Sequence, residues 1–344
     1  MKFYKWGKKI DNINISNINI TNIKLIKILN IIKDNIKNTP EVHYNILNYE
    51  YSNDQIKKLT NSKFVCNPLN YSNLLYTKCI NWDNNNIYIK TTYKQFIQFE
   101  KRLPIYLKIV NYIKNNGNIF NIDINMYLIL SNHKKNIEPN IIINPNNINS
   151  GYTIRQINQH IYDKNKNIIF IWRKEEFEKV SFHELIHLFN QDHWEDNNIK
   201  IPVTINGPIN ICEAITEFKA LLFNIIYISL ITNITINKLI KYELYFSNNQ
   251  AKYIYNHLKI TYDNNIINQH TSCYSYFILK YNILSYFIDN IYSNKLFINI
   301  FIYVKDFNKL INELYNIIIH NNNILNNQTF IDFNSSRMSL LEFK

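Results

Sequence analysis

Glycine is nearly absent, with 4 residues in 344, alongside 7 Pro, 4 Cys, 4 Arg and 3 Ala. So few glycines exclude a Gly-rich phosphate loop, a dinucleotide-binding fingerprint, a collagen-like repeat and Gly/Ser linkers. The cysteines, Cys66, Cys79, Cys212 and Cys273, are scattered and form no C-x-x-C pair. A disulfide framework is not expected in so long a chain, and a reducing compartment is the simpler reading. The most apolar stretch, Leu221 to Thr232, runs about a dozen residues and contains Asn224, short of the roughly 20 that cross a bilayer. Met1 to Ile10 is basic but leads into polar Asp11 to Asn22 rather than an apolar segment, so no secretory signal is read. The expectation is a soluble intracellular protein with no membrane partner.

What is abundant is Ile, Asn, Lys and Tyr, at 66, 62, 34 and 26 residues. These are residues of A/T-rich codons, as in an A/T-biased viral or parasite genome. The net charge of +12 is Lys spread without blocks, so it follows from that bias and no specific nucleic-acid partner is expected. The length allows one very large domain or two ordinary ones.

Residues 11–23 alternate Ile with Asn or Ser, as short strands or low-complexity filler would. Leu25, Ile28, Leu29, Ile32 and Ile36 then fall at helical spacing over 24–37. Residues 1–90 otherwise bear no chemical signature and are taken as a separate N-terminal region of unknown role. A helical stretch over 93–115 is interrupted at Pro104 and ends at Asn116-Gly117; 121–130 alternates as a strand, and 132–151 is polar and Pro-interrupted, hence a loop. Asn167 to Trp172 is a strong short strand and 174–190 switches to helical periodicity. Beyond Pro208 the chain reads helical over 210–230, 235–247, 250–260, 272–290 and 303–319. Strands first and helices later predict an α+β fold.

The informative segment is Val180-Ser181-Phe182-His183-Glu184-Leu185-Ile186-His187, an H-E-x-x-H within a helical pattern. Residues four apart share a helix face, so His183 and His187 present two imidazoles to one point, as tetrahedral zinc requires. Glu184 is displaced around the helix, where it can reach a water without ligating the metal and act as general base. A third ligand is needed, and Glu213 and Glu217, also four apart, lie in an otherwise apolar helical context, where two carboxylates need a reason to be present. One can ligate while the other fixes the tautomer of a ligating imidazole.

His183-Glu184-Leu185-Ile186-His187 followed by Glu213-Ala214-Ile215-Thr216-Glu217 resembles the gluzincin metallopeptidases, the thermolysin-like zincins, with their H-E-x-x-H then E-x-x-x-D pattern. The resemblance covers about 35 residues, about 50 with the preceding strand. It implies one Zn2+ per chain held by His183, His187 and Glu213, with Glu184 as general base, Glu217 in place of the family's Asp bonded to His183, and a peptide or protein substrate. The gap from His187 to Glu213 is longer than in thermolysin, as an insertion over 194–208 would make it. Glu in place of Asp leaves open that Glu217 is the ligand.

The resemblance also implies a zincin-like fold: a small mixed sheet with an edge strand and the active helix in an upper lobe (about 91–205), and a mainly helical lower lobe (about 206–344). The edge strand would be Asn167–Trp172, so Ile169, Phe170 and Ile171 are expected to pair with an extended substrate. Arg173, Lys174, Glu175 and Glu176 are read as a solvated turn. For the oxyanion stabiliser that peptide hydrolysis needs, Tyr276 is the first choice, with His270 and Tyr274 behind it. His193 lacks the Gly and spacing of a metzincin third ligand, and Cys212 reads as a small buried residue. Endopeptidase is preferred to aminopeptidase, for want of a pattern that binds a free N-terminus. A zinc-binding module without turnover and a basic nucleic-acid-binding protein are the competing classes.

Overall fold

A computed structural model describes residues 18, 20, 22–61, 65, 71–119, 122–137, 141–155, 167–191, 205–207, 209–260, 267–289 and 338–339. The first described helix, α1 (Ile23–Asn38), is capped by the Asn22 side chain, which accepts the Leu25 N–H. Strand β1 (Asn45–Asn48), helix α2 (Asn53–Thr60) and the hairpin of β2 (Tyr76–Trp82) and β3 (Asn85–Thr91) follow, with Asp83 at φ +47° in the turn. Helices α3 (Tyr93–Glu100) and α4 (Leu103–Asn115) break beside Pro104, which sits in the first turn of α4, where its missing N–H is no loss. Next come β4 (Asn125–Ser131), the single turn α5 (Pro145–Ile148), β5 (Gly151–Ile154), β6 (Ile168–Arg173) and α6 (Phe177–Leu188). The rest is mainly helical: β7 (Ile205–Asn206), α7 (Ile211–Thr232), α8 (Ile236–Ile260), β8 (Ile267–Asn268), a π-helical turn over Ser275–Leu279, and α9 (Lys280–Asp289). The expected helix over 303–319 and residues 11–17, 19 and 21 of the Ile/Asn alternation lie outside the described residues.

Six strands form one mixed sheet in the order β1-β2-β3-β4-β6-β5, with β3–β4 and β4–β6 parallel and the other pairs antiparallel. Side-chain parity assigns the two faces. Ile87, Ile89, Met126, Leu128, Ile169 and Ile171 point into the main core, with α1, α4, α6 and α7. Tyr127, Ile129, Phe170 and Trp172 point the other way, onto Tyr152 and onto Ile56 and Leu59 of α2. The result is an α+β fold with a mainly helical C-terminal lobe, as its order of strands and helices implies.

Residues before 91 contribute three of the six strands, and α1 buries Leu25, Leu29, Ile32 and Ile36 in the main core. The boundary expected near residue 90 falls between β3 and α3, yet β3 pairs with β4 along its length. The sequence signal for these strands was drowned. Asn is the usual mark of a turn, and a chain with 62 of them marks turns everywhere.

Strand β6 forms where Asn167–Trp172 was expected, but it is an inner strand, hydrogen-bonded to β4 on one side and β5 on the other. The expected substrate pairing of Ile169, Phe170 and Ile171 is therefore corrected: their backbone bonds are taken within the sheet and all three are fully buried. Among the described residues the sheet edge on this side is β5, which begins at Gly151, the last residue of the segment read as a loop. The apolar helix is also longer than its most apolar dozen residues. α7 has 22 residues, enough to cross a membrane by length and composition, and its most apolar window is 89% buried inside the fold. In this structure it is the central core helix of the lower lobe.

Candidate metal centre

Helices α6 and α7 cross antiparallel and present matched stripes. On α6, Lys179, His183 and His187 recur every four residues and share a face; on α7, Glu213 and Glu217 do the same. Lys179 pairs with Glu217, His183 lies between Glu217 and Glu213, and His187 lies against Glu213. The packing needs two anchored helices. α6 buries Phe182, Leu185 and Ile186 in the main core, while α7 starts where Asn210 caps it by accepting the Cys212 and Glu213 N–H groups at 2.8 and 3.3 Å.

His183 Nε2 and His187 Nε2 stand 2.9 Å apart, and Glu213 Oε2 is 3.3 Å from the first and 3.5 Å from the second. One ligand atom each from His183, His187 and Glu213 thus falls within 4.8 Å of the other two. The donor set fits a zinc ion: two imidazole nitrogens and one carboxylate oxygen, with the fourth side left to the cleft. Glu213 Oε2 is buried without a hydrogen bond of good geometry, an orphan that a cation in the triangle would satisfy. On its far side His183 Nδ1 lies 3.0 Å from Glu217 Oε1. That contact holds Nδ1 toward Glu217 and leaves Nε2 as the nitrogen that faces the triangle.

Electrostatics follow from these contacts. Burial raises the Glu213 carboxyl, but His187 and His183 outweigh it and bring the pKa down to about 2. Glu217 is held far below the carboxylate range against its own burial, first by Lys179 and then by His183. Burial lowers the His183 pKa, and the carboxylates of Glu213 and Glu217 more than reverse it, to about 9. Glu184 differs: burial raises its pKa, and the two imidazoles and the Thr153 hydroxyl offset that only in part.

Glu184 sits under the edge strand. Thr153 of β5 donates its hydroxyl to Glu184 Oε2 at 2.7 Å and lies 3.0 Å from the Glu184 carbonyl. The lower lobe adds Tyr276 from the π-helical turn, a helix form that often marks functional sites. The Tyr276 ring is 6.2 Å from that of His183. Its phenol is buried, which raises its pKa well above 10, and Glu213, Glu217 and Glu184 add to the effect, so it stays a protonated donor. A cleft of about 640 Å³ unites these groups, lined among others by Gly151, Thr153, His183, Glu184, Glu213 and Tyr276.

Of the residues singled out from sequence, the fold brings His183, Glu184, His187, Glu213, Glu217 and Tyr276 to this cleft. His270 also lines it, whereas Tyr274 is buried in the main core. Cys212 is buried on α7 and is in no disulfide, and His193 lies outside the described residues. The turn Arg173–Glu176 is not solvated, apart from Lys174. Arg173 donates to the carbonyls of Asn149 and Asn146, and Glu175 accepts the Lys135 N–H. Glu176 pairs with the Lys135 ammonium and accepts the N–H groups of Met338 and Ser339.

Sequence reasoning missed Gly151, Thr153 and Lys179. Lys179 was legible as the residue one turn before the two histidines; the other two come together with Glu184 only through the β5–β6 pairing. No protein-family model, curated protein or solved structure matches the chain.

Proposed function

We propose that this protein is a zinc-dependent peptidase of gluzincin type, with endopeptidase activity preferred. The observation that supports it most is the meeting of the His183, His187 and Glu213 ligand atoms within one triangle, with Glu184 beside it beneath a sheet edge. When bound, zinc supplies Lewis acidity to the water and the carbonyl that meet in the cleft.

The chain's own groups do the rest. Glu184 takes a proton from the attacking water and delivers it to the departing amine, a task suited to a carboxylate whose pKa is raised by burial. Tyr276 donates its phenolic hydrogen to the carbonyl oxygen as charge develops there. Among the described residues β5 is paired only with β6, and Gly151, Tyr152 and Thr153 line the cleft. An extended peptide adds to this free edge by backbone hydrogen bonds, which moves the substrate-binding role from Ile169–Ile171 to β5.

Zinc stoichiometry on the purified chain tests the reading, with a peptide-library digest that uses Glu184→Gln as the blank. About one zinc per chain, lost in Glu213→Ala and only weakened in Glu217→Ala, supports the ligand set. A wild-type chain that stays zinc-free in excess zinc overturns it.

A further inference from the structure

We infer that Lys179 is a positioning residue of the metal centre, acting through Glu217 on His183. The inference rests on the zinc reading above and adds to it a group that touches neither metal nor substrate. The side chains of Lys179 and Glu217 are 1% and 3% exposed and form an ion pair through Oε2. Glu217 Oε1 is left to face His183 Nδ1 at 3.0 Å. The carboxylate is thus divided, one oxygen to the ammonium and the other to the imidazole.

Of the two direct contacts of the Glu217 carboxylate, Lys179 holds the oxygen that does not face His183. Glu213 and Glu217 are equivalent by spacing, one turn apart on the same face of α7, and two carboxylates beside one cation compete for it. Lys179 breaks the tie. It draws Glu217 one turn away from His187, so Glu213 faces both Nε2 atoms while Glu217 keeps the Nδ1 side. A ligating imidazole fixed in this way has its ring orientation set before the metal arrives, with Nδ1–H held by the carboxylate and Nε2 the nitrogen that gives up its proton to the metal.

Lys280 and Lys135 also bear on Glu217 through their charge, but neither hydrogen-bonds it. Lys135 pairs with Glu176, Lys219 donates to the Gln191 carbonyl, and Lys280 donates to the Met338 carbonyl. Burying an ammonium is costly unless it is paired, and Lys179 spends that cost on the carboxylate that touches a ligand.

The test is zinc affinity of the full chain, measured by competition with a chromophoric chelator, for wild type, Lys179→Met, Glu217→Gln and the double variant. The visible absorption of the cobalt-loaded forms reports ligand geometry. The expected result is about tenfold weaker zinc binding in Lys179→Met with an altered cobalt spectrum, by analogy with other outer groups that orient metal ligands. The double variant should bind zinc as Glu217→Gln does, because Lys179 has no route to the metal once the carboxylate is an amide. Wild-type affinity and spectrum in a folded Lys179→Met, or losses that simply add in the double variant, overturn the inference while leaving the zinc reading intact. No zinc on the wild type overturns both. Should Lys179→Met fail to fold, Lys179→Arg replaces it. A displaced cation is expected to weaken zinc binding when residue 217 is Glu and to leave it unchanged when it is Gln; equal affinities in both backgrounds overturn the inference.

Discussion

Gly151 lies against Glu184 so closely that a methyl group on its Cα would stand 2.9 Å from Oε1 and 3.1 Å from Cγ of that side chain. Val180, one turn earlier on α6, would be 3.0 Å away. In a chain with 4 glycines, one is placed where the sheet edge meets the carboxylate assigned to proton transfer. The absence of a side chain lets β5 sit directly on α6.

Gly151→Ala is therefore expected to push Glu184 off its position while leaving the ligands in place. Zinc content should stay near one per chain. Turnover should fall by about 100-fold, the scale at which a misplaced catalytic group costs rate. Parallel metal analysis and kcat/KM measurement check this; loss of zinc together with activity would show that the contact supports the helix as a whole.

Thr153→Val removes the hydroxyl that hydrogen-bonds the Glu184 carboxylate. That bond lowers the carboxyl pKa against the upward push of burial. Its loss leaves burial less opposed, so Glu184 takes up its proton at higher pH. The acidic limb of the kcat/KM profile should move toward neutral pH with the alkaline limb unchanged. A limb that stays in place would remove Thr153 from the proton-transfer machinery.

Zinc should compete with a proton at His183. Burial lowers this pKa, and the Glu213 and Glu217 carboxylates more than reverse that, to about 9, so the zinc-free imidazole is charged at pH 7. Zinc affinity then rises with pH up to about 9, and calorimetry in two buffers of different ionisation enthalpy should find about one proton released per zinc at pH 7. The same shift sets the stability of the zinc-free chain. A histidine pKa raised above its unfolded value of 6.5 contributes fully below that pH and loses the contribution as pH climbs through 9. The Tm of EDTA-treated protein should decline over that interval.

Glu176 joins the start of α6 to a segment distant in sequence. It caps α6 in a left-handed conformation at φ +58°, pairs with Lys135, and accepts the N–H groups of Met338 and Ser339 at 3.1 and 2.6 Å. Glu176→Ala would leave a buried ammonium and two buried N–H donors unpaired, a loss of about 3–5 kcal/mol. Urea unfolding should register it, and limited proteolysis should cut near residue 338 sooner than in the wild type. Unchanged cleavage there would mean that Lys280 and the Ser339–Glu243 contact hold the segment by themselves.

Local pattern made much of this site legible. His183, Glu184 and His187 are fixed relative to one another by helical spacing alone, and so are Glu213 and Glu217. The break at Pro104 and the strand at Ile168–Arg173 are local as well, one from a missing N–H and the other from a run of β-formers. Illegible were β5, whose Gly-Tyr-Thr-Ile is too short to show a period, and the turn Arg173–Glu176, whose charges look like any solvated surface.

The sequence by itself determined which side chains share a helix face, because a 3.6-residue period is a property of the backbone. It could not determine what each face meets. Tertiary structure decided that β6 is an inner strand and β5 the edge, since an edge is defined by a neighbour's absence. It also decided that Glu213 turns to the two Nε2 atoms and Glu217 to Nδ1. The two carboxylates are alike by spacing and differ in what the crossing of α6 and α7 sets beside each: Lys179 and the Nδ1 side of His183 beside Glu217, and the two Nε2 atoms beside Glu213.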